Sequence, residues 1–291
     1  TLSDDRRQRQ MCIRDSLKVI KEALTGHKGW KPAWRDPEPQ QHYDIVIIGG
    51  GGHGLATAYY LARIFKQKKI AVLEKGWIGG GNVGRNTTII RSNYLLDGNE
   101  PFYEFSLKLW EGLEQDFNFN AMISQRGILN LIHSDAQRDA FIRRGNAMLL
   151  NGADAELLST DQIKARYPFL NVDNARSPIK GGLAQHRGGT VRHDAVAWGY
   201  ARGADACGVD IIQNCEVTGF WIEHGKCLGI ETSRGFIGAD KVGCAVAGSS
   251  GLLLATAELR RPLERPVLPA FGSEGLIPVL PGVVTFGAGH F

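Results

Sequence analysis

The glycine-rich segment at residues 49–54 carries the clearest chemical signal in the sequence, because it contains G-x-G-x-x-G as Gly49, Gly51 and Gly54. The first glycine permits a tight turn, the second lets backbone approach a ligand, and the third lets a helix pack closely on a sheet. Backbone N–H groups at the start of that helix, including that of Gly52, favour an anion. The segment therefore predicts a binding site for the pyrophosphate of a dinucleotide.

The elements around this segment favour the same interpretation. YDIVIIGG is a short apolar run typical of a central parallel strand, LATAYYLARIFKQ has helical spacing, and IAVLE predicts a second strand. Glu74 ends that strand, twenty residues after Gly54. A carboxylate there can accept hydrogen bonds from both hydroxyls of a ribose, and it disfavours a 2′-phosphate. The pattern indicates a dinucleotide other than NADP, but it does not by itself separate FAD from NAD.

The composition is that of a soluble globular protein, with 43% hydrophobic and 22% charged residues among 291. The net charge of +4 is spread along the chain and gives no argument for nucleic acid. The five cysteines form no CxxC pair, which predicts free thiols in a reducing compartment. No apolar run approaches the roughly 20 residues that cross a membrane, and the first residues lack the apolar segment of a secretory signal. We expect a cytoplasmic protein without membrane contact.

Periodicity divides the rest of the chain. Residues 1–16 have no hydrophobic period and are interpreted as a disordered or foreign arm, and residues 17–41 as a surface arm. Helices are predicted at 102–117, 135–150, from near Ser159 to before Pro168, and at 193–206; strands are predicted at 127–132, 209–212, 214–221, 227–232 and 240–248. Because such strands return late, we expect a nucleotide domain at 42–100 and 175–256, and a substrate or cap domain at 101–174 and 257–291.

Two features favour FAD over NAD. The motif is followed by WIGGGNVGRNTTIIRSNY, a loop of small residues rich in backbone donors, instead of another βα repeat. NCEVTGF resembles a strand that contacts adenine through the backbone of Val217, and AVAG, with Ala247 and Gly248, resembles a return strand beside the pyrophosphate. These features resemble the D-amino-acid-oxidase type of flavoprotein. The expected fold class is α/β (α+β overall), a Rossmann-like FAD-binding domain of glutathione-reductase type with an interleaved, incomplete substrate domain.

Longer segments narrow the resemblance. YDIVIIGGGGHGLATAYYLA, LEKGWIGGGNVGRNTTIIRSNYLLD, KLWEGLEQDF, SQRGILNLIHS, RGGTVRHDAVAWGYAR and GVDIIQNCEVTGF resemble the β subunits of heterotetrameric sarcosine oxidases. The resemblance implies noncovalent FAD, oxidation of sarcosine, and covalent FMN at the boundary with an α subunit. It further implies NAD and tetrahydrofolate on the α subunit, reduction of oxygen to peroxide, and γ and δ subunits that complete a heterotetramer.

The resemblance also assigns roles to Arg91 and Thr88. Arg91 is the expected cation for the substrate carboxylate, since a guanidinium fork can donate two parallel hydrogen bonds. A structural ion pair is the alternative. Related single-subunit sarcosine oxidases have a second arginine where this chain has Thr88, so catalytic help at that position differs here or is absent.

By the same resemblance, His193 is joined covalently to FMN, and a neutral imidazole nitrogen is nucleophilic enough for that link. His193 alone would be read as a cap or surface residue ahead of a helix capped by Asp194, and His186 is a weaker candidate for the link. His53 is expected to pack over the phosphate turn. Further cofactor contacts are expected at Lys75, Asn82 and Thr88. Arg85, Asn86 and Thr87 are expected either to donate to the pyrophosphate or the flavin edge, or to satisfy the loop backbone.

The last residues depart from the family, because LRRPLERPVLPAFGSEGLIP matches it poorly and GVVTFGAGHF stops inside a predicted strand. We expect a C-terminally truncated fragment that holds FAD weakly. Two alternatives stay open: an oxidase or dehydrogenase of another small amine, such as glycine or dimethylglycine, and a non-catalytic nucleotide-binding scaffold. Assays of the full-length protein with each N-methyl amine would separate the two enzyme hypotheses, and a bound flavin that sarcosine reduces would exclude the scaffold.

Overall fold

The computed structural model describes residues 17–26, 28–29, 32–94, 98–173, 176–263 and 280–286. The chain forms two compact units, Thr1–Arg35 and Asp36–Phe291. In the first unit residues 17–24 are helical, and the predicted arm at residues 1–16 lies outside the described residues. All elements named below belong to the second unit.

The second unit alternates strands and helices. In chain order its elements are β1 (His42–Ile48), α1 (Gly52–Arg63), β2 (Ile70–Leu73), a 3₁₀ turn (Asn82–Arg85), β3 (Ile89–Ile90), α2 (Asn99–Phe117), β4 (Ile128–Ile132), α3 (Asp135–Leu150), β5 (Glu156–Leu158), α4 (Thr160–Arg166), β6 (Gly181–Gln185), β7 (Gly189–Thr190), α5 (His193–Ala206), β8 (Asp210–Ile212), β9 (Val217–Glu223), β10 (Lys226–Thr232), β11 (Gly235–Cys244), a 3₁₀ turn (Ala247–Ser249), α6 (Ser250–Ala255) and β12 (Val283–Thr285).

The first sheet has the strand order β8-β2-β1-β11-β10-β9. Its strands β8, β2, β1 and β11 are parallel, and β10 is antiparallel to both β11 and β9. Ile48 at the end of β1 pairs with Leu73 of β2 and with Cys244 of β11. Because these carboxyl ends are in register, the segments that follow the three strands leave the sheet at one edge, where open α/β sheets bind ligands.

Helices α1 and α5 pack against each other through aromatic rings and small residues. The ring of Tyr59 lies 5.2 Å from that of Phe117 and 5.8 Å from that of Tyr200, in edge-to-face geometry. A Cβ added at Gly203 would lie 2.9 Å from the Tyr59 ring, so only glycine allows this approach. Helix α5 also contacts the 3₁₀ turn Asn82–Arg85. This packing fixes the start of α5, and with it His193, relative to the loop after β2.

The second sheet has the strand order β12-β4-β6-β5, with β12 parallel to β4 and the other pairs antiparallel. Strand β6 lies within residues 175–256 of the sequence but pairs here, beside β4 and β5. The buried side of the sheet packs on α4, whose Ile163 is fully buried. Helix α4 starts with a capping box in which Ser159 and Gln162 bond to each other's backbone N–H. The helix predicted near Ser159 is therefore confirmed.

A two-stranded ribbon, β3 with β7, carries the segment that contains Arg91. Ile89 pairs with Thr190 and Ile90 with Gly189. A Cβ added at Gly189 would lie 2.0 Å from the carbonyl oxygen of Ser124, so glycine is required at this close crossing. The ribbon joins residues about 100 positions apart in the sequence and so sets where Arg91 and the residues after it lie.

Helix α2 differs from its predicted form in bounds and in its buried face. It begins at Asn99, before the predicted start at 102. Two of the apolar residues whose spacing indicates this helix, Phe102 and Phe105, do not face the core, since their exposed fractions are 67% and 63%. Glu100 and Glu104 are buried instead. Burial of Glu104 is tolerated because its carboxylate has partners, which are described with the site below.

Three other predictions need correction. Strand β11 spans Gly235–Cys244 instead of 240–248, and the following residues turn into the 3₁₀ segment Ala247–Ser249. Strand β9 begins at Val217 instead of 214. The N-cap of α5 is Arg192, and Asp194 lies inside the first turn. The bounds of α3 and α5 match the predicted helices at 135–150 and 193–206.

The expectations about thiols, metal sites and membrane spans can be compared with the structure only for the described residues. The cysteines among them are free, and no cluster of metal-binding side chains occurs in this part of the chain. Every helix in the described ranges is too short or too polar to span a bilayer.

Candidate functional site

The turn between β1 and α1 excludes side chains at two of its glycines. Gly49 has a φ of +107°, which L side chains rarely adopt, and a Cβ there would lie 2.4 Å from the carbonyl oxygen of Ala245. A Cβ on Gly54 would lie 1.9 Å from the carbonyl oxygen of Gly49. The start of α1 is therefore pressed against the ends of β1 and β11, and both contacts require glycine.

Gly51, in contrast, faces open space. A Cβ built there meets no atom within 4 Å. Gly51 is the N-cap of α1, no side chain bonds to the free amides of the first turn, and that turn contains no acidic residue. The unpaired N–H groups and the positive end of the helix dipole thus face an accessible space, which is the arrangement that binds a phosphate.

Glu74 lies beside this turn. One carboxylate oxygen accepts a hydrogen bond of 2.8 Å from the N–H of Gly50, and the other accepts one of 2.9 Å from the N–H of Gly76. Each carboxylate oxygen has further lone pairs that could accept bonds from ligand hydroxyls. The structure therefore brings the acid and the glycine turn together, while the contact of Glu74 with a ribose stays a prediction.

The other residues predicted to contact the nucleotide surround the same edge of the sheet. The N–H of Cys215, two residues before Val217, donates to the carbonyl oxygen of Glu74 at 2.9 Å. The N–H of Ala245 donates to the carbonyl oxygen of Ile48 at 2.8 Å, which brings the chain past Gly49 before it reaches Ala247 and Gly248. Ala247 has a φ of +47°. His53 is exposed on the first turn of α1.

The loop after β2 holds itself in shape through Asn86. Its amide nitrogen donates to the carbonyl oxygen of Val83 at 2.8 Å, and its amide oxygen accepts from the N–H of Thr88 at 2.7 Å. The side chain of Asn86 thus bonds to the loop backbone, which was the alternative to a contact with the cofactor. The remaining polar residues predicted to contact a cofactor in this loop are exposed: Lys75, Asn82, Arg85 and Thr87.

Arg91 follows the ribbon strand β3 and carries no ion pair among the described residues. Its guanidinium carbon lies 5.1 Å from the ring centre of Tyr94, a cation–π contact, and Tyr94 stacks on Tyr103 at 3.6 Å. Thr88 lies three residues earlier with a φ of +63°, and its carbonyl oxygen accepts a bond of 2.9 Å from the N–H of Val191. An arginine at this position with no carboxylate partner can bind an external anion.

A buried polar network lies directly under Arg91, and sequence reasoning missed it. Ser92 is fully buried, and its N–H donates to the side-chain oxygen of Gln185 at 3.1 Å. Its hydroxyl donates to Glu104 at 3.0 Å and accepts from the Gln185 amide at 2.6 Å. Gln185 is also fully buried. These bonds fix the backbone next to Arg91 from two distant segments of the chain.

Arg187 completes this network. Its guanidinium donates two bonds to Glu111, of 2.8 and 2.9 Å, and another to Glu104. The bidentate bond to Arg187 lowers the pKa of Glu111 below its ordinary value, and the same pair raises the pKa of Arg187. The only signals in the sequence were a glutamine inside a buried strand and acids on a helix face. Neither indicates its partners, because these lie up to 93 residues apart.

His193 and His186 differ sharply in environment. His193 opens α5, and its Nδ1 atom is buried without a hydrogen-bond partner among the described residues. His186 is exposed, and its Nε2 lies 2.7 Å from a carboxylate oxygen of Glu156. Asp194 is held by Arg192, which lowers the pKa of its carboxyl, and it also accepts from the N–H of Ala195. Of the two histidines, only His193 has a buried ring nitrogen without a hydrogen bond to a described residue.

Comparisons with known proteins agree with this geometry. The FAD dependent oxidoreductase (DAO) family matches residues 44–285. The chain is 67% identical over 276 residues to sarcosine oxidase subunit beta of Rhizobium meliloti (strain 1021), covering 95% of this chain and 66% of that protein. It is 51% identical over 252 residues to sarcosine oxidase subunit beta of an Arthrobacter species, covering 86% and 62%.

The solved structure of L-proline dehydrogenase from P. horikoshii shares the fold, with a TM-score of 0.75 and 23% identity over 86% of this chain and 65% of that one. The chain therefore spans just under two thirds of the length of each of these proteins. The family match extends over most of the sequence and includes both sheets. The chain belongs to the FAD-dependent oxidoreductase family.

Proposed function

We propose that this chain binds FAD noncovalently and takes part in the oxidation of the secondary amine sarcosine to glycine. The observation that carries the proposal is the open backbone at Gly51, with Glu74 beside it, in a chain 67% identical to a sarcosine oxidase subunit beta. The residues fit the cofactor because an uncapped helix start and an adjacent acid are what a pyrophosphate and a ribose need.

The chain's own residues would hold the cofactor mainly through backbone. The amides of Gly51 and Gly52 face the pyrophosphate, Glu74 accepts from the ribose, and the backbone of Val217 contacts the adenine. Residues of the loop after β2 and of the segment after β11 line the rest of the site: Lys75, Asn82, Arg85, Thr87, Thr88, Ala247 and Gly248. Bound FAD supplies an acceptor for a hydride.

Arg91 orients the substrate. Its guanidinium binds the carboxylate of sarcosine through two parallel bonds, and the bonds of Gln185 and Glu104 to Ser92 hold the backbone beside it. We nominate no general base, since a neutral secondary amine held in line leaves most of the catalysis to positioning and local electrostatics. Thr88 lies close to this segment without a proposed proton-transfer role.

We further propose that His193 carries covalent FMN at a boundary with an α subunit. The buried, unpartnered Nδ1 of His193 supports a ligand at this ring, although it does not identify one. The multi-subunit assembly, with γ and δ subunits and with NAD and tetrahydrofolate on the α subunit, follows from the resemblance to sarcosine oxidases. In that assembly oxygen receives the electrons and tetrahydrofolate receives the one-carbon unit.

The flavin spectrum tests the FAD proposal. The full-length protein, co-expressed with its α partner, should absorb near the usual flavin bands and bleach when sarcosine is added without oxygen. Glycine and dimethylglycine serve as comparison substrates, and bleaching by one of these alone would redirect the substrate assignment. A protein that binds no flavin would contradict the oxidoreductase function and favour a scaffold.

Acid precipitation tests the FMN link. FMN should stay with the precipitated wild-type protein and should appear in the supernatant for His193→Ala. The matched control is His186→Ala, which removes an exposed imidazole from the same region and should leave FMN attached. Retention of FMN by His193→Ala would refute the link.

A further inference from the structure

Two residues next to Arg91 have buried polar atoms that no described group satisfies. Asn93 follows Arg91 by two positions and is fully buried, yet neither its side-chain oxygen nor its side-chain nitrogen has a partner. Arg144, on α3, donates from one terminal nitrogen to the carbonyl oxygen of Asn93, while its Nε is buried and unpaired. Buried polar groups are almost always bonded. These atoms therefore mark a place where a polar partner belongs.

Most of the buried side-chain atoms without hydrogen bonds lie in Asn93 and Arg144. Of the five buried side-chain atoms without partners among the described residues, three belong to Asn93 and Arg144. The other two are ring nitrogens of His133 and His193, in different parts of the chain. The concentration argues against scattered packing defects and in favour of one recognition site.

Positive charge also dominates around Asn93, because two arginines lie close to it. Neither Arg91 nor Arg144 has a carboxylate partner in the described part of the chain. Burial, and then the positive charge of Arg91, lowers the pKa of Arg144 to about 10. Glu104, one of the two buried acids of α2, already bonds to Ser92 and Arg187. Two neighbouring cations with a desolvation cost need an anion to offset it.

We propose that Asn93 and Arg144 form, together with Arg91, a binding site for a small amino acid. The Nε–H of Arg144 and the amide N–H of Asn93 donate to the carboxylate, and the amide oxygen of Asn93 accepts from the amine N–H of the substrate. This assignment rests on the proposed function and names further groups for the same substrate. A site with an acceptor as well as cations distinguishes an amino acid from a simple anion, which would use only the donors.

Arg91 and Tyr94 are both half-buried, whereas Asn93 between them is fully buried. Tyr94 also stacks on Tyr103, with ring centres 3.6 Å apart. A substrate would thus meet Arg91 first and the buried groups of Asn93 and Arg144 next. Because the substrate would reach Arg144 after Arg91, Arg144 should contribute more to the affinity than to the rate of association.

Acetate binding to the FAD-loaded full-length protein, followed by the visible flavin spectrum, tests the site without turnover. Arg144→Met should raise the acetate Kd roughly ten- to a hundred-fold, the effect of losing one charged hydrogen bond. Arg144→Lys should restore part of the affinity. The matched control is Arg143→Met, an exposed neighbour on the same helix, which should leave the Kd unchanged.

Two substrates separate the roles of Arg144 and Asn93. Arg144→Met should raise KM for sarcosine but not for sarcosinamide, which has no carboxylate. Asn93→Ala should raise KM for both, because each has the amine that the Asn93 oxygen accepts from. An equal rise for both substrates in Arg144→Met would overturn the carboxylate role, and so would an unchanged acetate Kd.

Failure of this inference can be told apart from failure of the proposed function. If Arg91→Met weakens acetate while Arg144→Met does not, Arg144 is outside the site and the proposed function stands. If Arg144→Met leaves acetate binding intact but prevents assembly with the α subunit, the anion is a partner carboxylate and the small-molecule site is refuted. If sarcosine does not bleach the flavin at all, the proposed function itself is refuted.

Discussion

The glycine turn at the edge of the first sheet and the polar network at the second sheet place functional groups in opposite ways. The turn uses backbone, and its tightest contact joins residues five positions apart, Gly49 and Gly54. The network uses side chains, and Ser92 meets Gln185 across 93 positions. Both regions are buried at their centre. At the turn, amide N–H groups of the helix start face an open space, and beside the network the guanidinium of Arg91 has no ion pair among the described residues.

This difference explains how each region tolerates change. At the turn, steric contacts of 1.9 to 2.4 Å from an added Cβ leave no room for a side chain, whereas Gly51 a few residues away has complete freedom. In the network each side chain satisfies another, so removal of one member leaves buried partners without bonds. A substitution at the turn should therefore destabilise the protein through steric overlap. A substitution in the network should destabilise it by leaving buried polar groups without hydrogen bonds.

The largest effect is expected for Gly54→Ala. Its Cβ would meet the carbonyl oxygen of Gly49 at 1.9 Å, so the helix start must move away from the strand. We expect about 3 kcal/mol or more of destabilisation, with loss of bound FAD. Thermal unfolding and the ratio of flavin to protein absorbance measure both. A stable, yellow Gly54→Ala protein would show that the turn relaxes more easily than its contacts indicate.

Gln185→Leu should have the next largest effect. It removes bonds to Ser92 and leaves a buried N–H and hydroxyl with fewer partners, at a cost of about 2 kcal/mol. Because Ser92 adjoins Arg91, KM for sarcosine should rise while the FAD content stays constant. Gln115→Leu, at an exposed position on α2, is the matched control. An unchanged KM together with lower stability would give Gln185 a purely structural role.

Glu111→Gln tests the electrostatic part of the network through pH. Arg187 lowers the folded-state pKa of Glu111, so the stabilisation is present above the ordinary glutamate pKa of about 4.3 and is lost as pH falls below it. The partly exposed pair should contribute about 1 kcal/mol at pH 7. The melting temperatures of wild type and Glu111→Gln should differ at pH 7 and converge as pH falls through the lowered folded-state pKa of Glu111. A constant difference across this range would contradict the ion-pair origin.

Gly51→Ala should have the smallest effect on stability, within about 0.5 kcal/mol, because its φ of −81° suits alanine and no atom lies within 4 Å. Its FAD affinity should nevertheless fall, since the methyl group would project toward the pyrophosphate. Chemical unfolding of the apoprotein and flavin titration separate the two quantities. Unchanged FAD affinity would show that the open space at Gly51 is not the phosphate site.

The elements around the glycine turn could be predicted from the sequence because their causes are local. The apolar strand from Tyr43, the three glycines and the acid ending β2 all belong to one βαβ unit with fixed spacing, and the structure brings them together at one edge. The helices at 135–150 and 193–206 likewise follow from their own periodicity. Prediction failed at α2, where the burial of Glu104 depends on Arg187, 83 residues away.

The sequence by itself determined the βαβ unit, the position of its ligand-facing turn and the family to which the chain belongs, because these rest on short-range sterics and on residues in fixed spacing. Only the tertiary structure decided that Ser92, Glu104, Gln185 and Arg187 form one network, and that Asn93 and Arg144 meet beside Arg91. Such contacts depend on how distant segments pack, and a one-residue change in strand register would turn Gln185, which lies in β6, to the other face.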